Sequence, residues 1–588
     1  MRSKRIMYLI LAGAMLLLSA CGQPEKPKTE TVLRFPDTKW STLNPYLANA
    51  SEDMINDFTQ ARLYRRFAKE DRETVYIRPE LAETEPVQMD TEGKIWQIRI
   101  RPGLYFTDSQ GQKTDKPINA ATFEASLKAA LDPLLKQRAG DNLGQYISIL
   151  NAREYFRQTP EAPVSWDKVG IRAVDELTLE LTLSASATQR NVMQQFIDYG
   201  TIPTDPTLFT SLKSDDGTST VYGTDVDKTL YCGAFYITKW VKESVISLTK
   251  NPYYVFADEI KLDKAELYYV ESYQTQAEMY LSGQLDGTAL TSETAVQYLE
   301  REDYLSYPAR YIMQIEINRG HTKLKILDNA NFKDALWYAI DRVTLAKLVA
   351  GTPANYIIPD TSLADPEKGI YFKDTETAAA YREDINASYD PEKAKAFFEK
   401  ALAEENIDGK LTLHLMIGTD KPEQHLAAMF LQQHLAEIFG EDRFELIVDE
   451  VVDKTRLSTM KAFRKDPDAY ELALSNWSRA ATDESPFNVL DVYSDTYWAQ
   501  ANAPYGNAFI NETIALQDTD PRIKNDRAYN AEMAGQMEKA ALEARLTIPM
   551  FETSFQYLIS PKLILPLKTP SPSLGFTFKP WLAEKTGE

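Results

Sequence analysis

Two stretches of the chain alternate apolar and polar residues with the period of a half-buried strand. Trp96, Ile98 and Ile100 alternate with Gln97, Arg99 and Arg101, and Leu177, Leu179, Leu181 and Leu183 alternate with Thr178, Glu180 and Thr182. Val245, Ile246 and Leu248 predict a further strand, ended by Asn251-Pro252. Between such stretches the spacing turns helical. Asn119 is placed to cap a helix carrying Phe123, Leu127 and Leu131, stopped by Asp132-Pro133. Asp390-Pro391-Glu392 predicts another helix start: the aspartate accepts from orphan amides, proline fits the first turn, and glutamate suits the positive end of the dipole. Phe397, Phe398 and Leu402 are then expected to face a core. Pro422 opens a helix with Leu431, Leu435, Ile438 and Phe439 on one face, and Gly440 is placed to end it. Strands and helices interleave through most of the chain, which predicts an α/β class. The length of 588 residues implies two to four core-forming units.

The longest apolar run stands at the start. Arg2, Lys4 and Arg5 precede Ile6 to Leu18, a run shorter than the roughly 20 residues a spanning helix needs. Its flanks are those of a cleaved secretory signal. Leu18-Ser19-Ala20-Cys21 resembles a bacterial lipobox. That resemblance implies a signal peptide over residues 1–20 and a diacylglyceryl thioether on Cys21, whose two acyl chains suffice for stable anchoring. Residues 21–31, polar and proline-containing, form the lipidated tether. No later apolar segment is long enough to span a bilayer. The body is therefore expected to be held, lipid-anchored, at the extracytoplasmic face of a bacterial cell membrane, facing the periplasm where the host has an outer membrane.

Acidic residues outnumber basic ones by 86 to 65, a net charge of −21, which argues against nucleic acid as a partner. With Cys21 lipidated, Cys232 has no disulfide partner in the chain. It lies in the apolar-aromatic stretch Leu230 to Tyr236 and reads as a small buried hydrophobe. The 4 histidines form no Cys/His cluster, so neither a metal site nor a cofactor is expected. No phosphate-cradling GxxxxGK[ST] loop is present, so an energising ATPase would be another chain. Ser458-Thr459-Met460-Lys461 and Lys585-Thr586-Gly587 match the SxxK and KTG motifs of exported serine acyltransferases. No Ser-Asp-Asn or Ser-x-Asn element stands suitably between them, and short motifs recur by chance. This is the remote alternative, and no catalytic residue is assigned.

Several segments, in order, are similar to the extracellular solute-binding proteins of the oligopeptide class, family 5, which serve ABC importers. Thr42-Leu43-Asn44-Pro45-Tyr46-Leu47 resembles the family's T-L-D-P-H segment, and Pro79-Glu80-Leu81-Ala82-Glu83 its P-x-L-A-E. Trp96 through Asp108 resembles an aromatic-rich strand followed by L-R-x-G-V-x-F and S-D-G, and Pro117 through Phe123 corresponds to P-V-T-A-x-D-F. Further on, Gly233-Ala234-Phe235-Tyr236-Ile237, Lys250-Asn251-Pro252-Tyr253-Tyr254, Phe332 through Arg342, and Tyr389 through Ala394 continue the match. Gly103 and Gly233 are expected to serve backbone turns.

The resemblance implies a two-lobed periplasmic-binding-protein-like fold, type II and of the large peptide-binding class, with an extra inserted subdomain. Lobe I would take residues 32–75, 195–310 and 553–588, the inserted subdomain 76–194, and lobe II 311–552. It implies a monomer that performs no covalent chemistry. The protein would capture oligopeptides between closing lobes and deliver them to ABC permease subunits in the membrane. A peptide pheromone or wall-fragment receptor on the same scaffold, or a binder of a nickel complex, haem or oligosaccharide, are the alternatives. In peptide-binding relatives the ligand lies extended against two segments, which correspond here to Asn49, Ala50 and Ser51 and to Asn476, Trp477 and Ser478. The family's W-x-x-D supplies a carboxylate for the peptide's α-ammonium. This chain reads Trp477-Ser478-Arg479-Ala480, leaving Asp483 or Glu484 as the nearby acidic substitutes.

Overall fold

The computed structural model describes residues 30–37, 42–47, 53–143, 146–197, 199–366, 368–382, 384–419, 421–462, 466–477, 486–494, 507–516, 519–569 and 579–586. Two large hydrophobic cores organise them. The first draws on residues from Leu33 through Leu267 and again from Ile559 through Ala583; the second runs from Met313 through Phe551.

Around the first core, a 4-stranded sheet has the order Val32–Asp37, Lys264–Tyr269, Val245–Lys250, Phe235–Val241, with only the first pair parallel. A second 4-stranded sheet joins Val87–Gln88, Ile95–Arg99, Thr178–Thr182 and Ile171–Ala173. Here the two alternating sequence patterns meet. Trp96 pairs with Leu181 and Ile98 with Leu179, and all four side chains are buried. Helix Ala120–Ala130 lies beside them, opened by a capping box between Asn119 and Thr122.

The second core is covered by helices Ala330–Ala339, Pro391–Glu404, Pro422–Phe439 and Arg527–Glu543. Asp390 caps the second of these by accepting from the Lys393 amide at 3.0 Å. Phe398 and Leu402 enter the core, but Phe397 does not. It stacks on Tyr338 at the edge, because adjacent helical residues point about 100° apart. Ile438 is likewise only partly buried beside Leu431, Leu435 and Phe439. Arg342, one residue past the Asp341 cap, is buried and donates to the carbonyls of Trp337, Ser388 and Pro549. Burial, then the Arg545 charge, lowers its pKa to about 9.

The cores are joined through a 7-stranded sheet of order Gly287–Leu290, Thr547–Ile559, Tyr304–Ile317, Leu472–Trp477, Leu411–Gly418, Phe444–Val451, with Thr352–Pro353 pairing onto Thr547–Ile559. Its two long strands, of 14 and 13 residues, run antiparallel and cross from one core to the other. At one end Leu305, Tyr557 and Ile559 pack on the first core; at the other Met313, Ile315, Ile548 and Phe551 belong to the second. Their register breaks between, from Pro308↔Ser554 to Ile312↔Glu552. Pro308 can donate no ladder hydrogen bond.

Candidate ligand-binding site

The two segments singled out by sequence start from different cores. The first follows Thr42–Leu47. Leu43 is buried in the first core, and its amide donates to the Gly223 carbonyl at 2.7 Å. Gly223 has φ +74°, and a Cβ there would lie 2.3 Å from the Asn44 amide nitrogen, so only glycine fits. Asn44, fully buried, donates to Gln137 Oε1 and accepts from the Tyr46 amide, both at 3.0 Å. The Tyr46 hydroxyl donates to the Ile202 carbonyl at 3.1 Å. The motif asparagine is thus a structural anchor for the chain leading to residues 49–51. Asn49, Ala50 and Ser51 themselves lie outside the described residues.

Helix Asp53–Thr59 resumes on the far side and is fixed by a buried ion network. Asp57 pairs with Arg62 at 2.7 Å, with Arg65 at 3.4 Å and with Lys579. Burial works to raise its pKa, but Lys579, Arg62 and Arg65 together hold it well below the usual carboxylate range. Glu80, also fully buried, accepts from the Arg62 amide at 2.7 Å, from Arg65 Nε at 2.9 Å and from the Tyr254 hydroxyl at 2.7 Å. Cys232 sits beside it, buried, accepting from the Ala61 amide at 3.3 Å; burial pushes its thiol up to about 12. A Cβ on Gly233 would meet the Gln60 nitrogen at 2.4 Å, so this glycine serves a close backbone approach; the positive φ belongs to Gly103, at +73°.

The second segment leaves the second core. Strand Leu472–Trp477 pairs with the crossing strand, Asn476 opposite Met313 and Trp477 opposite Ile312. Asn476 is half-buried at the end of this strand. Ile312 also faces Glu552, so the strand ends on the row where the crossing strands change core. Ser478, Arg479 and Asp483, with Ala480 and Glu484, lie outside the described residues, as does Cys21.

That row carries a buried polar cluster which sequence spacing could not reveal. Glu552 Oε2 accepts from the Tyr356 hydroxyl and the Asp360 amide, both at 3.2 Å, while Oε1 has no hydrogen-bond partner. Arg382 lies against the Tyr356 ring at 3.9 Å and bonds Asp360 at 2.8 Å. It also lies 3.6 Å from Glu538, whose other oxygen accepts from the amides of Ile357 and Ile358. Burial first, and the Asp360 charge second, raise the Glu552 pKa to about 8.

The acyltransferase motifs do not meet. Ser458 lies on helix Asp453–Ala462, which packs on the 7-stranded sheet through Met460, against Met416 and Ala473. Lys585 lies on the first body and donates to the Val32 carbonyl at 2.8 Å and to Asp286.

Comparison with known proteins places this geometry. The oligopeptide-binding protein OppA of Bacillus subtilis is 23% identical over 562 residues, covering 91% of this chain and 92% of that one. Among solved structures, peptide-bound OppA of Listeria monocytogenes matches 95% of this chain and 100% of its own at a TM-score of 0.63 and 21% identity. The pheromone receptor PrgZ matches the same shares at 0.64 and 21%. These likenesses show the two-lobed, type II periplasmic-binding-protein-like fold expected from the sequence. The model of the bacterial extracellular solute-binding proteins, family 5 (its middle region) matches residues 76–499, more than two thirds of the 588. The chain belongs to the bacterial extracellular solute-binding proteins, family 5.

Proposed function

We propose that the protein is the substrate-binding lipoprotein of an ABC importer, capturing oligopeptides between two closing lobes and delivering them unaltered to membrane permease subunits. The observation that carries this reading is the near end-to-end match with an oligopeptide-binding relative. The attachment of the two candidate segments to different cores supports it, since a ligand touching both would gain contacts only as the lobes approach. The register break at 308–312 and 552–554 is the proposed hinge, close to the lobe boundaries at 310/311 and 552/553. Closure then reports occupancy, because the ligand binds the closed state better. Asn49, Ala50, Ser51 and Asn476 through Arg479, with Asp483, are the proposed contacts. A peptide pheromone receptor is the second reading, favoured by the likeness to PrgZ. Both readings are non-enzymatic, in keeping with the separation of Ser458 from Lys585.

Purified protein, stripped of ligand by mild denaturation and refolded, is expected to melt at higher temperature with peptide pools. Peptide at about 100 times its Kd adds roughly 2.7 kcal/mol by mass action. Melting curves unmoved by pools of every length would count against peptide as the ligand. Cys21→Ala is expected to release the protein from membranes into the soluble fraction; retention of the variant would refute lipid anchoring.

A further inference from the structure

The 7-stranded sheet splits along one line. Strand Leu472–Trp477 keeps Tyr304–Ile317 beside it over its whole length. Its other neighbour, Leu411–Gly418, pairs with it only at Leu415↔Leu472 and Met416↔Ala473. Beyond that rung Leu411–Gly418 stays with Phe444–Val451, through Ile417↔Glu450 and Gly418↔Val451. Residues 474–477 are left as a strand edge, with no strand on that side among the described residues.

The next rung would join the Gly418 amide to the Leu474 carbonyl. Backbone groups two residues apart on a strand point to the same side, and the His414 amide already points across, to Glu471 Oε2 at 2.7 Å. Both halves of the missing rung are taken by side chains instead. The Gly418 amide donates to Gln424 Oε1 at 2.9 Å, and the Leu474 carbonyl accepts from Arg456 Nη1 at 2.7 Å. Gln424 and Arg456 are 1% and 2% exposed, so water competes for neither bond. They come from different helices, Pro422–Phe439 and Asp453–Ala462. Asp453 Oδ1 fixes the guanidinium, accepting from Nε at 3.0 Å and from Nη2 at 2.7 Å. The same oxygen stands 3.2 Å from where a Cβ on Gly418 would lie, so the Arg456–Asp453 pair sits in the split itself. A buried backbone group without a partner is costly. Two side chains placed on the two halves of one rung therefore keep the ladder from closing. The alternation that turns Leu474 to the open side turns the amide and carbonyl of Asn476 there as well.

We infer that Arg456 is a positioning residue for ligand binding: with Gln424 it holds the sheet split, so that the amide and carbonyl of Asn476 are presented to the backbone of an extended peptide. The inference rests on the peptide reading above and deepens it. Met460, one turn on from Arg456, packs on Met416 and Ala473 and so fixes the helix at the last closed rung.

The test is hydrogen exchange resolved to single amides, on stripped full-length protein, with a random hexapeptide pool whose binding is also read calorimetrically. Without ligand, the Asn476 amide should exchange about ten-fold or more faster than that of Leu474, and saturating peptide should slow it by about the same factor, the size of one to two backbone hydrogen bonds. Arg456→Met combined with Gln424→Met frees both halves of the rung. The ladder should then close by one step, slowing Asn476 exchange in the unliganded protein and weakening the pool, each by about ten-fold. Arg456→Lys alone, which keeps a donor for the carbonyl, should recover most of that affinity. An Asn476 amide already protected in the unliganded parent, or left unprotected while calorimetry shows the pool bound, overturns the inference and leaves the peptide reading standing. Unchanged or faster Asn476 exchange in the double variant does the same, since Arg456 would then only support the fold. A double variant that fails to fold is replaced by Arg456→Met alone, read by the same criteria. No calorimetric binding by the parent overturns the inference together with the peptide reading.

Discussion

Glu80→Ala is expected to cost about 3–5 kcal/mol of folding stability, the range for removing one member of a buried, hydrogen-bonded charge pair. Glu80 is fully buried and satisfies three donors: the Arg62 amide, the Arg65 guanidinium and the Tyr254 hydroxyl. Truncation strands all three away from water. Arg65 is hit hardest, because its remaining acidic partner is Asp57 at 3.4 Å, which Arg62 and Lys579 already share. Three residues on in the same motif, Glu83 pairs with Arg99 at 2.7 Å, yet the two side chains are 39% and 52% exposed. Solvent screens that pair, and Glu83→Ala should cost under about 1 kcal/mol. Urea unfolding of both variants separates the cases. Equal losses for the two glutamates would show that burial is not what sets the worth of this motif. Because Glu80 locks helix Asp53–Thr59 through Arg62 and Arg65, the Glu80 variant should also weaken peptide binding at residues 49–51, the candidate segment just before that helix.

Much of this arrangement could be read from the sequence, for identifiable reasons. A strand with one face in a core writes its burial as alternation, and Trp96, Ile98, Leu179 and Leu181 do so. Helix starts at Asn119 and Asp390 are legible because capping is local chemistry between residues three apart. The crossing strands were not legible. Thr547–Ile559 is buried on both faces through its first 6 residues, so no period of two marks it, and Pro549 and Glu552 read as interruptions. Pro308 hides its partner in the same way. The polar cluster at their junction draws on Tyr356, Asp360, Arg382, Glu538 and Glu552, whose meeting is a product of topology and leaves no spacing to detect. Asn44 and Glu80 show the opposite case. The family resemblance marked their motifs, and the structure gives both an anchoring role, Asn44 through Gln137 and Glu80 through the Arg62 amide. Of the named contact residues, Asn476 and the backbone of Trp477 are placed at the end of a strand on the second core; the others lie outside the described residues.

Stability is expected to fall as pH rises from about 4.5 to about 8, and Glu552→Gln should abolish much of that fall. The folded-state pKa of Glu552 is raised to about 8 from the ordinary glutamate value of 4.5, chiefly by burial and then by Asp360. The folded protein therefore holds a proton that the unfolded chain releases. Below pH 4.5 both states are protonated and the group costs nothing. Between 4.5 and 8 only the unfolded state ionises, and stability drops by at most about 1.4 kcal/mol per pH unit. Above 8 both states are ionised and the loss levels off, at a total on the order of 4 kcal/mol. Asp57 acts with the opposite sign: its lowered pKa contributes stability that is present above the ordinary aspartate range and lost only as pH falls through it. In the Gln variant, the amide oxygen can accept from Tyr356 and Asp360 as Oε2 does now. Its NH2 would occupy the place of the unpartnered Oε1 at a cost of about 1–3 kcal/mol. That cost does not vary with pH, so the difference between parent and variant isolates the carboxyl. Denaturant unfolding at intervals from pH 5 to 9 should show the parent losing at least about 2 kcal/mol relative to the variant, and a constant difference would refute a protonated Glu552. The location gives the proton its consequence. Three acids, Glu552, Asp360 and Glu538, gather around Arg382 beside the row where both strands change core, with Lys373 3.9 Å from Asp360 as the second cation. A neutral Glu552 removes one charge from that imbalance, which lets the strand pair pass between the lobes without an unpaired carboxylate buried at the proposed hinge.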